Sequence, residues 1–83
     1  MKLVYFAWVR ERIWIGEEDV SLPAGVTTVE ELLAWLKGRG DGYAAALEHS
    51  EVIRVAIDQE HSDSGDSIVH AREIALFPPM TGG

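Results

Sequence analysis

The residues with the most evident chemistry are Gly82 and Gly83, which follow Phe77-Pro78-Pro79-Met80-Thr81. Glycine lacks a Cβ, so a diglycine end leaves the α-carboxylate unshielded and can thread a channel too narrow for side chains. An α-carboxyl titrates near about 3.5, so at neutral pH it is an anion and a poor acyl donor. It becomes reactive once a partner enzyme adenylates it, because sulfide or an amine can then displace AMP. Pro78 and Pro79 lack amide donors and fix φ, which ends any strand through Leu76 and Phe77 and favours an extended exit. Six residues from Pro78 to Gly83 then reach roughly 20 Å at about 3.3 Å each, enough to enter another protein's active site. Terminal glycines usually fray; the Phe-Pro-Pro-x-Thr run before these favours function. The sequence therefore divides into a domain over 1–77 and a tail over 78–83.

The body offers no comparable chemistry. His49, His61 and His70 lack metal-ligand spacing, and no cysteine is available to complete a zinc set or act as a thiolate. His61, Ser62, Asp63, Ser64 and Asp66 share one polar stretch, whereas hydrolytic triads need a scaffold that excludes water. Asp63-Ser64-Gly65-Asp66 lacks the spacing and closing glutamate of a calcium loop and reads as a turn. The glycines at 38, 40 and 42 follow a helix, so they form a helix stop and loop, not a phosphate cradle. Arg39-Gly40-Asp41 as an adhesion tripeptide is equally weak. Trp8 and Trp35 read as packing residues in a strand and beside a helix stripe, with Trp14 less determined. Glu17-Glu18-Asp19 reads as the solvated start of a strand.

The formal charge of −7 repels phosphate backbones and anionic lipid, so nucleic acid and membrane surfaces are poor partners and a basic protein surface suits better. Only seven apolar residues, Leu3 to Val9, precede Arg10-Glu11-Arg12, too few for a membrane span, and a cytoplasmic location is expected. With 83 residues, of which 47% are hydrophobic, one small globular domain with a modest core is predicted.

Alternation predicts a central strand over Lys2 to Val9, apolar on both faces, pairing in a hairpin with a strand over Glu18 to Leu22 that turns Val20 and Leu22 inward. Pro23-Ala24-Gly25 is a turn. Thr28-Val29-Glu30-Glu31 fits a capping box, and Val29, Leu32, Leu33 and Leu36 form one apolar stripe. Gly38 is expected to end this helix in the left-handed conformation. Tyr43 to Leu47 suits a short helical turn, and Val52 to Ile57 a third strand with Ile53, Val55 and Ile57 on one face. Asp58 ends it, a short edge strand falls at Glu60-His61, and Gly65-Asp66 is a turn. Glu73 to Phe77 is the last strand, with Ile74 and Leu76 inward and Phe77 outward. The order predicts an α+β domain with about five strands in a mixed sheet packed on one main helix.

The chain resembles the small subunits of molybdopterin synthase, sulfur carriers of the ubiquitin-like β-grasp class. The likeness rests on Lys2, Tyr5, Phe6 and Ala7 followed by Val9-Arg10-Glu11, on Thr28-Val29-Glu30, on Ala46-Leu47-Glu48, and on the ending from Glu73 to Gly83. The family's Gly-Asp-Glu turn before the last strand is here Ala71-Arg72-Glu73, which implies a turn shifted to Gly65-Asp66, and a family asparagine is Asp58. The resemblance implies a β-grasp fold and a non-catalytic, sulfur-donating subunit of a cytoplasmic heterotetramer. Gly83 would be adenylated by a ubiquitin-activating-type enzyme using ATP, and then thiocarboxylated from a sulfur donor. It would next deliver sulfur to the cyclic pyranopterin precursor in the larger subunit, with no cofactor held by this chain. Gly82, Thr81 and Met80 would enter the partner's active site, and Phe77, Pro78, Pro79 and Arg10 would dock it. Two other readings share the diglycine chemistry: a ubiquitin-like modifier joined to lysines, and a sulfur carrier for thiamine synthesis.

Overall fold

The computed structural model describes residues 1–79. Strand β1 spans Lys2–Tyr5, helix α1 Ala7–Ile13 and strand β2 Glu17–Asp19; helices α2 and α3 span Val29–Lys37 and Asp41–Ala46. A 3₁₀ turn at Ser50–Val52 leads to β3 (Arg54–Ile57), β4 (Glu60–His61) and β5 (Glu73–Phe77). The strands form one sheet in the order β2-β1-β5-β3-β4. β1 and β5 run parallel at its heart, while the other three pairings are antiparallel. This is the mixed sheet with helices on one side expected from the sequence, and the β-grasp architecture that the resemblance implied.

Side-chain alternation gives the sheet two unlike faces. Leu3 lies opposite Ile74, and Tyr5 and Val55 opposite Leu76, on the inner face, where all five are buried. The stripe of α2 (Val29, Leu32, Leu33, Leu36) closes over them, joined by Val9 and Ile13 of α1 and Ala46 and Leu47 around the end of α3. All three helices thus share one core on one side. Thr28 caps α2 as predicted, its Oγ1 accepting from Glu31 N while Glu31 Oε1 accepts from Thr28 N and Thr27 N. Ile68 is buried and donates its amide to Thr27 O, which ties the polar 62–70 stretch to the helix start.

The first expected strand is overturned beyond Tyr5. Ala7 takes φ 53°, which turns the chain out of the sheet, and the apolar period changes from two to nearly four, so that Val9 and Ile13 point into the core from a helix. Trp8 therefore lies on α1, half-buried under the Arg12 guanidinium at 4.5 Å, not in a strand. Only one face of β1 is covered: Phe6, just after it, is 49% exposed. β1 and β2 do pair antiparallel, but α1 fills their connection, so they are not a tight hairpin. β2 ends at Asp19, leaving Val20 buried and Leu22 partly buried against the core beyond it.

Gly38 is not left-handed: φ is −84°, and α2 ends instead by tightening, with Gly38 N donating to Trp35 O and Arg39 N to Leu36 O. The helical turn expected over 43–47 begins earlier, at Asp41, and the third strand begins later, at Arg54. Early entry into α3 lets it pack closely on α1. A Cβ on Gly42 would lie 2.7 Å from the Arg12 carbonyl oxygen, a backbone atom with little room to yield.

Glu18 also departs from the expected solvated acidic run. Its side chain is only 15% exposed, with Oε2 accepting from Tyr5 Oη at 2.7 Å and Tyr43 Oη at 2.6 Å, and Oε1 from Arg39 Nη1 at 2.8 Å. One carboxylate thus joins β1 and β2 to α3 and the loop before it. Burial alone would raise the Glu18 carboxyl, but the bonds from Tyr43, Tyr5 and Arg39 outweigh it and hold the group below its ordinary value. Burial, then the bond to Glu18, pushes the Tyr5 phenol well up, so it remains a donor.

Two stability predictions follow from these contacts. Gly42→Ala should lose about 1–3 kcal/mol through overpacking, read by urea unfolding. Gly65→Ala, where an added Cβ meets nothing within 4 Å, should stay within about 0.5 kcal/mol of the parent. For Glu18, a folded pKa below the unfolded one means its stabilisation is complete above the unfolded value, about 4.3, and disappears as pH falls through the folded value. Unfolding curves from pH 7 down to pH 2 should show wild type losing its advantage over Glu18→Gln below about pH 4.3. A difference between the two proteins that does not change with pH would refute this assignment.

Candidate functional site

The point from which the tail leaves is built by the register of β1 on β5. Lys2 pairs with Glu73 and the ladder runs in step to Tyr5 and Leu76. Phe6 N then donates to Leu76 O at 3.1 Å. β1 has turned away into α1 by that point, so Phe77 is the last strand residue, and Pro78 and Pro79 follow it, half-buried. A strand cannot continue through two residues that lack amide donors.

Phe77 faces away from the helices, as predicted, because Ile74 and Leu76 occupy the core side. It lies opposite Arg54 on β3, and the His61 ring meets it edge-on at 5.8 Å. Across the same outer face Val4 adjoins Ala75, Ala75 adjoins Ala56, and Ala56 adjoins His61. The centre is therefore small and apolar, and no helix covers it. Lys2 at one margin bridges Glu17 at 3.2 Å and Glu73 at 3.9 Å, while Arg54 is exposed at the other and, among the described residues, makes no ion pair. Such a face is suited to holding a protein surface, with Phe77 as a rigid aromatic contact at its edge.

Two features hold β5 so that the exit is well defined. Asp58 and Gln59 both have positive φ, 48° and 73°, the geometry of a two-residue hairpin turn between β3 and β4. Asp58 Oδ1 then accepts from Arg72 N at 3.0 Å and Glu73 N at 2.9 Å, latching that turn to the first residues of β5. The expected turn around Gly65 is present, closed by Asp66 N on Asp63 O and by Asp66 Oδ2 accepting from Asp63 N.

Of the sequence-predicted site residues, Phe77, Pro78 and Pro79 are together at the exit. Arg10 is on the exposed side of α1, whose first residue, Ala7, follows Phe6 directly; its guanidinium lies over Gly16, where a Cβ would come within 3.0 Å of Arg10 Cζ. Met80, Thr81, Gly82 and Gly83 lie outside the described residues. Elsewhere, a groove of about 740 Å³ between α2 and β3 has Val29, Leu33, Ile53 and Val55 at its base, but nothing in it forms an acid–base or nucleophilic pair. Ser62, on its rim, donates its hydroxyl to Val55 O at 2.9 Å. Sequence reasoning missed α1 and the Glu18 cluster. The i, i+4 spacing of Val9 and Ile13 was a signal for the first; nothing local marks the second, whose partners are 13 to 25 residues away. No helix among the described residues is long and apolar enough to cross a membrane.

Comparison with known proteins agrees with this geometry. A sequence model of the ThiS family matches residues 3–83. The chain is 35% identical to the molybdopterin synthase sulfur carrier subunit of Haemophilus influenzae over 100% of its own length and 99% of that protein's. It is 32% identical to the Escherichia coli protein of the same name, with the same coverage. Among solved structures it resembles SAMP1 from Haloferax volcanii, with a TM-score of 0.72 and 28% identity, covering 100% of this chain and 98% of the other.

Proposed function

Because the chain belongs to the ThiS family, we propose that it is a sulfur carrier that delivers its sulfur, bound at Gly83, inside a molybdopterin synthase. The observation that carries this reading is likeness along the whole chain to two curated sulfur carrier subunits. It is supported by the exit geometry, in which β5 ends at Phe77 beside an uncovered apolar face and is followed by two prolines. The absence of cysteine leaves the terminal carboxylate as the group suited to hold sulfur.

The chemistry runs in two displacements. A Gly83 carboxylate oxygen attacks the α-phosphorus of ATP on an adenylating enzyme and pyrophosphate leaves, giving an acyl-adenylate. Hydrosulfide supplied by the donor system then attacks the carbonyl carbon, AMP departs with the oxygen and the S–H proton is lost to solvent, so the carboxylate has become a thiocarboxylate. The larger synthase subunit receives Met80 to Gly83; the thiocarboxylate sulfur bonds to a carbon of a pyranopterin precursor, and water then cleaves the acyl–sulfur bond, leaving sulfur on the pterin and regenerating the Gly83 carboxylate. Phe77, Pro78, Pro79 and Arg10 dock the partner, and ATP and the sulfur donor belong to the activating enzyme. The carrier's own contribution is to present a narrow, side-chain-free end to the partner's active site. The compartment consistent with this cycle is the cytoplasm.

The likeness to SAMP1, the small archaeal modifier protein 1 of Haloferax volcanii, favours one other reading: conjugation through Gly83 to lysines. Both use the acyl-adenylate and differ in the attacking nucleophile. Incubation with the cognate adenylating enzyme, ATP and a sulfide source should add about sixteen mass units to the C-terminal peptide, and deletion of Gly83 should abolish the gain while leaving the unfolding midpoint unchanged. An unchanged mass, or thiol-resistant ladders on denaturing gels in place of the shift, would turn the assignment away from sulfur delivery.

A further inference from the structure

Trp14 is placed where neither the backbone nor the core accounts for it. It caps α1 in the left-handed conformation, φ 79° and ψ 2°, its amide donating to Arg10 O at 2.8 Å. That position suits glycine, and a bulky residue there is strained. The side chain is 87% exposed. Trp8 and Trp35 have the guanidinium groups of Arg12 and Arg39 over them, whereas Trp14 has no such contact among the described residues. Glycine would cap the helix better and a polar residue would be better solvated, so neither backbone geometry nor packing among the described residues explains the indole.

Its surroundings indicate the contact. Ala7, Arg10, Glu11 and Trp14 line a shallow depression on the side of α1 opposite buried Val9 and Ile13. Phe6, 49% exposed, directly precedes Ala7, and its amide donates to the carbonyl of Leu76, one residue before Phe77. The α1 face therefore begins where the tail leaves, and a partner that takes the tail into a channel brings the rim of that channel against it. The charge is also local. Residues 6–16 carry Arg10 and Arg12 against Glu11, a net +1, so the rest of a −7 chain carries −8. Among the described residues Arg10 makes no ion pair.

We propose that the α1 face ending at Trp14 is a docking surface for the larger synthase subunit, with Trp14 inserted in an apolar socket whose border carries a carboxylate opposite Arg10. This rests on the sulfur-carrier reading. The larger subunit is chosen over the adenylating enzyme because it must hold the tail through transfer, and burying an indole slows dissociation, whereas an activating enzyme must release each loaded carrier.

The test uses the full-length chain and its cognate larger subunit in titration calorimetry, with thermal unfolding of each free variant. Trp14→Gly should weaken binding by about 30-fold or more, while the free chain unfolds at the same or a higher temperature because the left-handed strain is relieved. Trp14→Phe should retain most of the affinity. Binding of Trp14→Gly within about threefold of wild type overturns the proposal, as does a loss confined to the adenylating enzyme, or a fall in unfolding temperature that accompanies the lost affinity. Wild type failing to bind the larger subunit would remove the sulfur-carrier reading itself, whereas wild type binding normally beside an indifferent Trp14→Gly removes only this surface.

Discussion

Parallel pairing of β1 with β5 is the constraint on which the rest of the molecule depends. It joins the first strand of the chain to the last, and parallel neighbours cannot be linked by a short turn. The connection between them must therefore cross one face of the sheet, and that crossing carries the core-forming stripe of α2. The same pairing puts Phe6 against Leu76 and brings α1 beside the exit. One register thus decides both how the core closes and which residues surround the tail.

The two faces of the sheet then divide the work. Inward, fully buried Leu3, Tyr5, Ile74 and Leu76 each contribute about 1.5–3 kcal/mol by leaving water, which matters in a domain with few core residues to spare. Outward, Val4, Ala56 and Ala75 are too small to form a second core and leave a flat surface edged by Phe77 and His61. The Glu18 cluster serves the rigid side: three donors on one carboxylate hold the helical layer to the β1–β2 edge, and being charge-assisted they are stronger than neutral bonds.

How far the architecture was legible can be followed residue by residue. The Thr28 capping box, the α2 stripe and the Glu73–Phe77 strand were readable because each is set by neighbours within one or two turns or by strict alternation. The segment after Tyr5 was not. Ala7, Trp8 and Val9 continue an apolar run that fits strand and helix alike, and the choice is made by Ala7 adopting a positive φ so that Val9 and Ile13 can reach a core assembled from distant segments. Gly38 was misread for a related reason: the helix had a glycine where a left-handed stop is common, but the following loop leads directly into α3, and a tighter turn carries the chain there.

The amino-acid sequence by itself determined the end of the last strand at a Pro-Pro pair, the Gly82-Gly83 pair in a sequence without cysteine, the acidic balance and the amphipathic α2, because these depend on side-chain chemistry and local spacing alone. Only the tertiary structure decided that α1 is a helix, that Glu18 is held by Tyr5, Tyr43 and Arg39, and that Trp14 stands exposed at the C-terminal end of α1. Those outcomes need groups far apart in the chain to meet, and the energy that selects them comes from burial and from hydrogen bonds that exist only after the sheet has closed.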